Sequence, residues 1–163
     1  MSTRRPERHY LVGLDLAGRQ VVVVGGGTVA QRRLPRLLDA GAEVTVVAPE
    51  VTPAVEAMAT AGELRWTARS YEDGDLAAAW YVIACTDDPA TNEAVGAEAQ
   101  RRQVFCVRAD HGPSGSAVTP AVGEHDGLVV GVLAGGQPRR SAAVRTALVE
   151  ALQAGLVEDS AEP

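Results

Sequence analysis

The feature that most constrains this chain is a run of four valines that ends in three glycines, VVVVGGGTVA at residues 21–30. Four consecutive β-branched residues are typical of a strand that is buried on both faces. The apolar residues after the glycines recur at helical spacing, which predicts a helix over residues 28–40 that ends at Gly41. A buried strand, a glycine turn and a helix in succession indicate the first unit of a parallel α/β sheet.

The glycine turn fits the pattern G-x-G-x-x-A. In this pattern the first glycine allows a tight turn, the second lets the backbone approach a pyrophosphate, and the small third residue lets the helix pack close to the strand. A plain glycine turn is the alternative, but the strand before and the helix after it favour a dinucleotide site. The residues predicted to bind the cofactor here are Gly25, Gly27, Thr28, Val29 and Ala30.

The rest of the chain alternates between strand and helix patterns. Strands are predicted at residues 10–14, 43–48, 64–67, 80–85 and 104–107, and helices at residues 52–61 and 88–101. This alternation predicts an open parallel sheet with helices on both faces. After residue 110 the pattern changes to two strands, 116–122 and 128–133, which a linker ending in Asp-Gly joins as a hairpin, and then to a helix over 139–154.

We therefore predict an α/β fold with a Rossmann-type doubly wound parallel sheet at residues 1–112, which binds NAD. A β-hairpin plus helix follows at residues 113–156, and residues 157–163 form an acidic tail that frays. An isolated hairpin is marginally stable unless something packs against it. A second copy of the chain would supply that cover, so we expect the segment 113–156 to be a dimerisation arm and the protein to be a homodimer.

Composition excludes several classes of function. All 15 basic residues are arginine, so no lysine is available for a Schiff base or for a Walker-type phosphate loop. The net charge of −6 gives no support for a nucleic-acid partner, and no apolar run is long enough to span a membrane. Cys85 and Cys106 each lie inside an apolar run without the spacing of a metal or redox pair, which favours buried, reduced thiols and a cytoplasmic protein.

The loops at the carboxyl ends of the strands should form the ligand crevice. After the second strand come Pro49 and Glu50, and Glu50 could accept hydrogen bonds from ribose hydroxyls. No arginine lies nearby in sequence for a 2′-phosphate, so NAD is favoured over NADP. Thr86 and Asp87 follow another strand, where Thr86 could line the nicotinamide side, share the capping of the next helix with Asp87 and Asp88, or do both.

Asp110 follows the last strand of the predicted sheet, and Arg108 lies two residues before it. An aspartate at this position could be a general base or a turn residue, and the adjacent His111 is a second candidate base. Desolvation would raise the pKa of Asp110 and Arg108 would lower it, so the sequence leaves its protonation open.

Four segments in a fixed order carry a family resemblance. They are RQVVVVGGGTVAQR, AWYVIACTDDPATN, VFCVRAD, and the Ala-Gly-Gly turn before an arginine-bearing helix. With these segments, the chain resembles the precorrin-2 dehydrogenase/sirohydrochlorin ferrochelatase family, the N-terminal module of sirohaem synthase, over residues 10–145. The resemblance implies a Rossmann domain with a dimerisation arm and NAD-dependent oxidation of precorrin-2 to sirohydrochlorin, on the route to sirohaem or cobalamin.

The resemblance also implies roles for residues. The loop at residues 27–29 would hold the cofactor, with help from the positions of Pro49, Glu50, Thr86 and Asp87, and Asp110 would be the catalytic aspartate. The substrate is a polycarboxylate tetrapyrrole, so we expect local arginines to attract it against the negative net charge. The residues predicted to contact it are Arg108, Ser116, Arg139 and Arg140, although the last two could equally form a solvated helix face.

The chain departs from the family pattern at a few positions. Val107 stands where members often carry asparagine, Ala134 stands where some carry serine, and the glycine-glycine segment after it is one residue shorter. We expect dehydrogenation to be retained, and no His/Cys cluster is present to bind a metal. Insertion of Fe²⁺ or Co²⁺ into sirohydrochlorin is an alternative additional activity, and a non-catalytic dinucleotide-sensing module is a third hypothesis.

Overall fold

The structure, a computed structural model, describes residues 9–111 and 114–157. Residues 12–118 form one compact unit, and residues 119–157 with residues 9–11 form another. The acidic tail predicted at 157–163 lies outside the described residues except for Val157, and the predicted domain boundaries remain predictions. In the described part of the chain, no helix is both long and apolar enough to cross a bilayer.

The first unit is a five-stranded parallel sheet with strand order β3-β2-β1-β4-β5. Its elements are β1 (Gln20–Val24), α1 (Thr28–Asp39), β2 (Glu43–Val47), α2 (Pro53–Thr60), β3 (Arg65–Thr67), β4 (Tyr81–Ala84), α3 (Pro89–Arg102) and β5 (Phe105–Arg108). Because the chain moves outward from β1 in both directions, the sheet is doubly wound as the sequence predicted.

The valines of β1 explain why both faces of the sheet are covered. Val21 and Val23 point to one face, where they pack with Leu34 of α1 and Val55 of α2. Val22 and Val24 point to the other face, where they share a core with Val95 and Ala99 of α3. Side chains alternate along a strand, so an unbroken valine run supplies apolar groups to two cores.

The strand predicted over residues 10–14 is wrong. The segment has no regular secondary structure, and Tyr10 and Leu11 are 92% and 54% exposed. A short apolar run forms a strand only where a neighbouring strand can pair with its N–H and C=O groups. This segment pairs with none of the described strands.

The second unit contains a hairpin and a helix. β6 (Ala121–His125) pairs antiparallel with β7 (Leu128–Val132), and α4 (Pro138–Gln153) packs against both strands. The connection is only Asp126 and Gly127, with φ of 45° and 80°, which are the left-handed values of a two-residue hairpin turn. The hairpin prediction is confirmed, but its linker is shorter than predicted because β6 continues to His125.

The strand predicted from residue 116 begins only at Ala121. Instead of continuing β6, the preceding segment runs along β5, where the N–H of Ala117 donates to the oxygen of Cys106 at 3.0 Å. The Ser116 Oγ accepts the N–H of Cys106 at 2.9 Å. Since β5 is an edge strand, these bonds cover part of its unpaired edge.

Candidate active site

The three glycines between β1 and α1 differ in their surroundings. Gly25 has a φ of +118°, and a Cβ there would lie 2.7 Å from the backbone oxygen of Cys85. A Cβ at Gly26 would lie 2.4 Å from the backbone oxygen of Glu50, whereas a Cβ at Gly27 would meet none of the described atoms within 4 Å. Gly25 and Gly26 therefore permit close backbone packing, and Gly27 faces open space. The pattern G-x-G-x-x-A did not single out Gly26.

The N-terminus of α1 is open. Its N-cap residue is Gly27, and no side chain among the described residues caps it. The first backbone bond runs from the N–H of Gln31 to the oxygen of Gly27 at 3.0 Å, which leaves the N–H groups of residues 28–30 outside the helical bonding pattern. The helix dipole adds partial positive charge at this end. Such an end can bind the pyrophosphate of a dinucleotide.

A cleft of about 720 Å³ lies along the carboxyl ends of β1, β2 and β4. Its volume is in the range of small-molecule and cofactor sites. It is lined by residues 24–29, 47–52, 70, 71, 85–88 and 91. Of the residues predicted to bind the cofactor, Ala30 alone does not line the cleft. It is fully buried against the sheet, where a small side chain lets α1 pack closely.

The charged residues of the cleft bear on the identity of the dinucleotide. The described lining residues include the carboxylates of Glu50, Asp87 and Asp88 and no arginine. Carboxylates can accept hydrogen bonds from ribose hydroxyls and would repel a 2′-phosphate. The lining therefore fits NAD better than NADP.

A network at the start of α3 fixes the loop that carries Thr86. Asp88 caps the helix, with its carboxylate accepting from the N–H of Ala90 at 3.2 Å and of Thr91 at 3.0 Å. Asn92 is fully buried, and its Oδ1 accepts from the N–H of Thr86 at 3.0 Å while its Nδ2 donates to the oxygen of Thr86 at 2.9 Å. Of the three residues predicted to share the capping role, Asp88 is the N-cap. Thr86 is held by Asn92, which was not among the predicted site residues.

One wall of the cleft depends on another buried polar residue. Tyr71 lines the cleft, and its hydroxyl donates to the carboxylate of Glu98 on α3. Glu98 is fully buried and also accepts from the N–H of Gly74 at 3.0 Å and from Nε of Arg102 at 2.5 Å. These bonds satisfy the buried carboxylate and anchor the segment that positions Tyr71.

Asp110 is held by Arg108 in a two-point ion pair. Nε of Arg108 donates to Oδ1 of Asp110 at 3.1 Å, and Nη2 donates to Oδ2 at 2.6 Å. The side chains are 11% and 24% exposed, so the Asp110 carboxylate remains accessible. Hydrogen bonding from Arg108, which outweighs partial burial and is helped by Asn92, lowers the pKa of Asp110 to about 2. The protonation that the sequence left open is thus resolved in favour of an ionised Asp110 in the free protein.

The register of the sheet places Asp110 beside the cleft. Ala84 of β4 pairs with Arg108 of β5 in the parallel register. Thr86 and Asp110 each lie two residues beyond that pair, at the same edge of the sheet. The cleft at Thr86 and the carboxylate of Asp110 are therefore neighbours, as expected of the crevice at the carboxyl ends of parallel strands.

Comparison with known proteins agrees with this arrangement. A family model described as "Putative NAD(P)-binding" matches residues 12–121. Among solved structures, SirC, a precorrin-2 dehydrogenase, superposes with a TM-score of 0.78 and 31% sequence identity, over 87% of this chain and 70% of that one. The chain belongs to the precorrin-2 dehydrogenase family. The recognition from sequence is confirmed, and so is the prediction of a nicotinamide dinucleotide cofactor.

Curated relatives of the family give the same assignment over part of their length. Siroheme synthase 1 of Serratia proteamaculans is 39% identical over 123 residues, which is 76% of this chain and 26% of the relative. Siroheme synthase of Escherichia coli K12 is 37% identical over 128 residues, 78% of this chain and 28% of the relative. The chain thus spans about a quarter of the length of these two relatives.

The remaining candidate site residues are distributed over both units. His111 is exposed, with Nδ1 2.8 Å from Oγ of Ser114, and the following residues 112 and 113 lie outside the described residues. Ser116 uses its Oγ to bind β5. Arg139 and Arg140 are exposed in the first turn of α4, in the second unit. Their contacts with substrate remain predictions.

Proposed function

We propose that this protein catalyses the NAD-dependent dehydrogenation of precorrin-2 to sirohydrochlorin. The observation that carries the proposal is the accessible, ionised Asp110 at the same sheet edge as a cleft that fits NAD, in a chain that superposes on SirC. A binding module that only senses a dinucleotide would need the cleft but would not need the accessible Asp110 carboxylate beside it.

Each part of the site has a task in this reaction. The open N-terminus of α1 binds the pyrophosphate, and Glu50 accepts hydrogen bonds from a ribose. When bound, NAD⁺ supplies the acceptor for the hydride that precorrin-2 loses. A proton leaves the substrate as well, and the Asp110 carboxylate is the group positioned to accept it.

Arg108 connects substrate binding to the basicity of Asp110. Precorrin-2 carries several carboxylates, and a substrate carboxylate would compete with Asp110 for the guanidinium of Arg108. Loss of the Arg108 hydrogen bonds raises the pKa of Asp110 toward its ordinary value and makes it a better base. The pairing therefore keeps Asp110 ionised in the free enzyme and releases it when the substrate arrives.

The direct test is incubation of the purified protein with precorrin-2 and NAD⁺, with NADH and sirohydrochlorin both measured. Asp110→Asn should lower kcat by about 10²–10⁴-fold, the usual contribution of a general base, with NAD⁺ affinity nearly unchanged. Asp126→Asn, at an exposed carboxylate in the hairpin turn, is the matched control and should retain full turnover. Turnover by Asp110→Asn at the wild-type rate would remove Asp110 from the mechanism.

A second arm with Fe²⁺ or Co²⁺ tests metal insertion. Loss of free sirohydrochlorin above the non-enzymatic rate would add chelatase activity to the dehydrogenase. NAD⁺ binding without turnover or tetrapyrrole affinity would instead favour the sensing module.

We also propose that the chain forms a homodimer through its second unit. Leu128 and Val129 on β7 and Val144 and Leu148 on α4 are 39–70% exposed, an unusual number of large apolar side chains for so small a unit. Nε of Arg145 is buried and lacks a hydrogen-bond partner among the described residues. A partner subunit would cover the first group and could satisfy the second. Light scattering should give a dimer for the wild type and a monomer for Val129→Asp, and a wild-type monomer would contradict the proposal.

We infer a cytoplasmic location from the cysteines. Cys85 and Cys106 are buried, free thiols, and burial raises the pKa of each to about 11, which makes them unreactive. Unpaired thiols suit a reducing compartment. Cell fractionation with detection of the protein in the cytosolic fraction is the test.

A further inference from the structure

Asn92 is an unusual residue for the interior of a helix. It lies in the first turn of α3, and its side chain is fully buried although it is polar. Asparagine is disfavoured in helix interiors because its side-chain amide can hydrogen-bond nearby backbone groups and so stabilise non-helical conformations. A buried amide is tolerated only when its donors and acceptors are satisfied. The partners of Asn92 therefore indicate what the residue does.

The amide of Asn92 can donate two hydrogen bonds and accept two. Oδ1 accepts the N–H of Thr86 at 3.0 Å and lies 2.9 Å from the Thr86 hydroxyl, and Nδ2 donates to the oxygen of Thr86 at 2.9 Å. Asn92 also helps to lower the pKa of Asp110. Reversing the amide would turn a donor toward the N–H of Thr86, so the bonding pattern determines its orientation.

Asn92 acts on residues in different halves of the site. Thr86 lines the cofactor cleft, and Asp110 follows the neighbouring strand β5. Asn92 hydrogen-bonds Thr86 on the cofactor side and lowers the pKa of Asp110 on the other side. Asn92 is itself held in the first turn of α3, where its backbone N–H donates to the oxygen of the cap residue Asp88 at 3.1 Å.

We infer that Asn92 is a positioning residue, which holds the Thr86 loop of the cofactor cleft in the geometry relative to Asp110 that the dehydrogenation needs. The inference rests on the proposed function and extends it to a residue that need not touch cofactor or substrate. A displacement of about 1 Å between reacting groups can lower a rate about 100-fold, so a residue that sets this spacing has a large effect without direct contact.

The experiment compares Asn92→Ala and Asn92→Asp with Val95→Ala. Val95 is equally buried on α3, but it is apolar and packs with the core, so its truncation controls for loss of stability alone. Both Asn92 variants should lower kcat by about 100-fold, while the KM for precorrin-2 changes less. Val95→Ala should lose stability and keep kcat within about threefold of the wild type, the residual scatter expected of a site left intact.

Two readouts do not depend on turnover. Titration of the Asp110 carboxyl by carbon NMR, in the protein without cofactor, should give a pKa above the wild-type value of about 2 in both Asn92 variants and an unchanged pKa in Val95→Ala. The rise should be larger in Asn92→Asp, because a second carboxylate then faces Asp110 while Arg108 still neutralises only one charge. NAD⁺ affinity measured by calorimetry should weaken in the Asn92 variants because Thr86 lines the cleft.

The outcomes separate the inference from the function on which it rests. A wild type that converts precorrin-2, together with an Asn92→Ala variant of equal kcat, would overturn the inference and leave the proposed function intact. A loss of kcat in Val95→Ala as large as in Asn92→Ala would also overturn it, since instability would then explain the effect. A wild type that binds NAD⁺ and fails to oxidise precorrin-2 would overturn the proposed function, and the inference with it.

Discussion

Two helices begin at the same edge of the sheet, and their N-termini are built in opposite ways. α1 follows β1 through glycines and has no side-chain cap among the described residues. α3 follows the adjacent strand β4 and is closed by Asp88, whose carboxylate accepts two backbone N–H groups and the Thr91 hydroxyl. Helix ends with free N–H groups bind anions, whereas a capped end satisfies those groups internally.

This difference separates the parts of the site by task. The end of α1 is left open for a ligand that must enter and leave, and glycine keeps side chains out of its path. The end of α3 is closed and carries Asn92, which hydrogen-bonds Thr86 on the cofactor side and helps to lower the pKa of Asp110. The comparison predicts that altering the open end changes cofactor binding first, and that altering the closed end changes stability or geometry first.

The largest expected effect comes from closing the open end. Gly27→Asp places an N-cap carboxylate where φ is −82° and ψ is −167°, values compatible with a cap. The free protein should gain about 1 kcal/mol in free energy of unfolding, and NAD⁺ affinity should fall by about 100-fold or more through charge repulsion. Denaturant melts and calorimetry measure the two quantities.

Gly27→Asn is the matched control for that variant, since it supplies a similar cap without the charge. It should keep the gain in stability with a smaller loss of affinity. Unchanged NAD⁺ binding by Gly27→Asp would show that the pyrophosphate does not lie at this end of α1.

A second contrast lies within the glycine turn itself. Gly26→Ala places a methyl group 2.4 Å from the backbone oxygen of Glu50 and should lower the free energy of unfolding by about 1–3 kcal/mol. Gly27→Ala meets open space and should leave stability within about 0.5 kcal/mol of the wild type while weakening NAD⁺ binding. Equal destabilisation by the two variants, measured by urea denaturation, would be inconsistent with the packing described for the turn.

The ion pair beside the closed end predicts a pH dependence. Arg108 lowers the pKa of Asp110 from an ordinary 3.8 to about 2. The ionised carboxylate is therefore more stable in the folded protein than in the unfolded chain, and its ionisation stabilises the fold. The resulting stabilisation is complete above about pH 4 and is lost as the pH falls through about 2. The difference in Tm between wild type and Asp110→Asn should therefore shrink over that interval. A difference that stays constant down to pH 2 would rule out the pairing as its cause.

The smallest effect is expected from uncapping α3. Asp88→Ala removes acceptors for the N–H groups of Ala90 and Thr91 and should lower Tm by a few degrees. Asp87→Ala, at the adjacent carboxylate that does not cap the helix, should leave Tm unchanged. Thermal melts of the two variants decide whether the cap resides at Asp88.

The parallel sheet could be predicted because its signals are local. The valine run of β1, the glycines and the helical spacing after them lie within residues 21–40, and each signal agrees with the next. The segment at residues 10–14 is also apolar, but it has no neighbouring strand to pair with. Whether such a neighbour exists depends on residues far away in sequence. The same is true of residues 116 and 117, which pair with β5 rather than extend β6.

The candidate site could be predicted only as a set of strand ends. Sequence placed Thr86 and Asp110 at neighbouring ends, and the register of Ala84 with Arg108 brings them together. The role of Asn92 could not be predicted, because the folded sheet determines which groups lie around its side chain. An asparagine inside a helical pattern, four residues after an aspartate cap, was the available signal. The balance between burial and Arg108 at Asp110 likewise required the distances in the folded protein.

The most direct test of the account is the stoichiometry of the reaction under saturating NAD⁺. Wild-type protein should form NADH and sirohydrochlorin in equal amounts as precorrin-2 is consumed, and Asp110→Asn should bind NAD⁺ but form neither at a comparable rate. Formation of sirohydrochlorin without NADH, or the absence of both products with the wild type, would contradict the assignment of this cleft and this aspartate to a dehydrogenase.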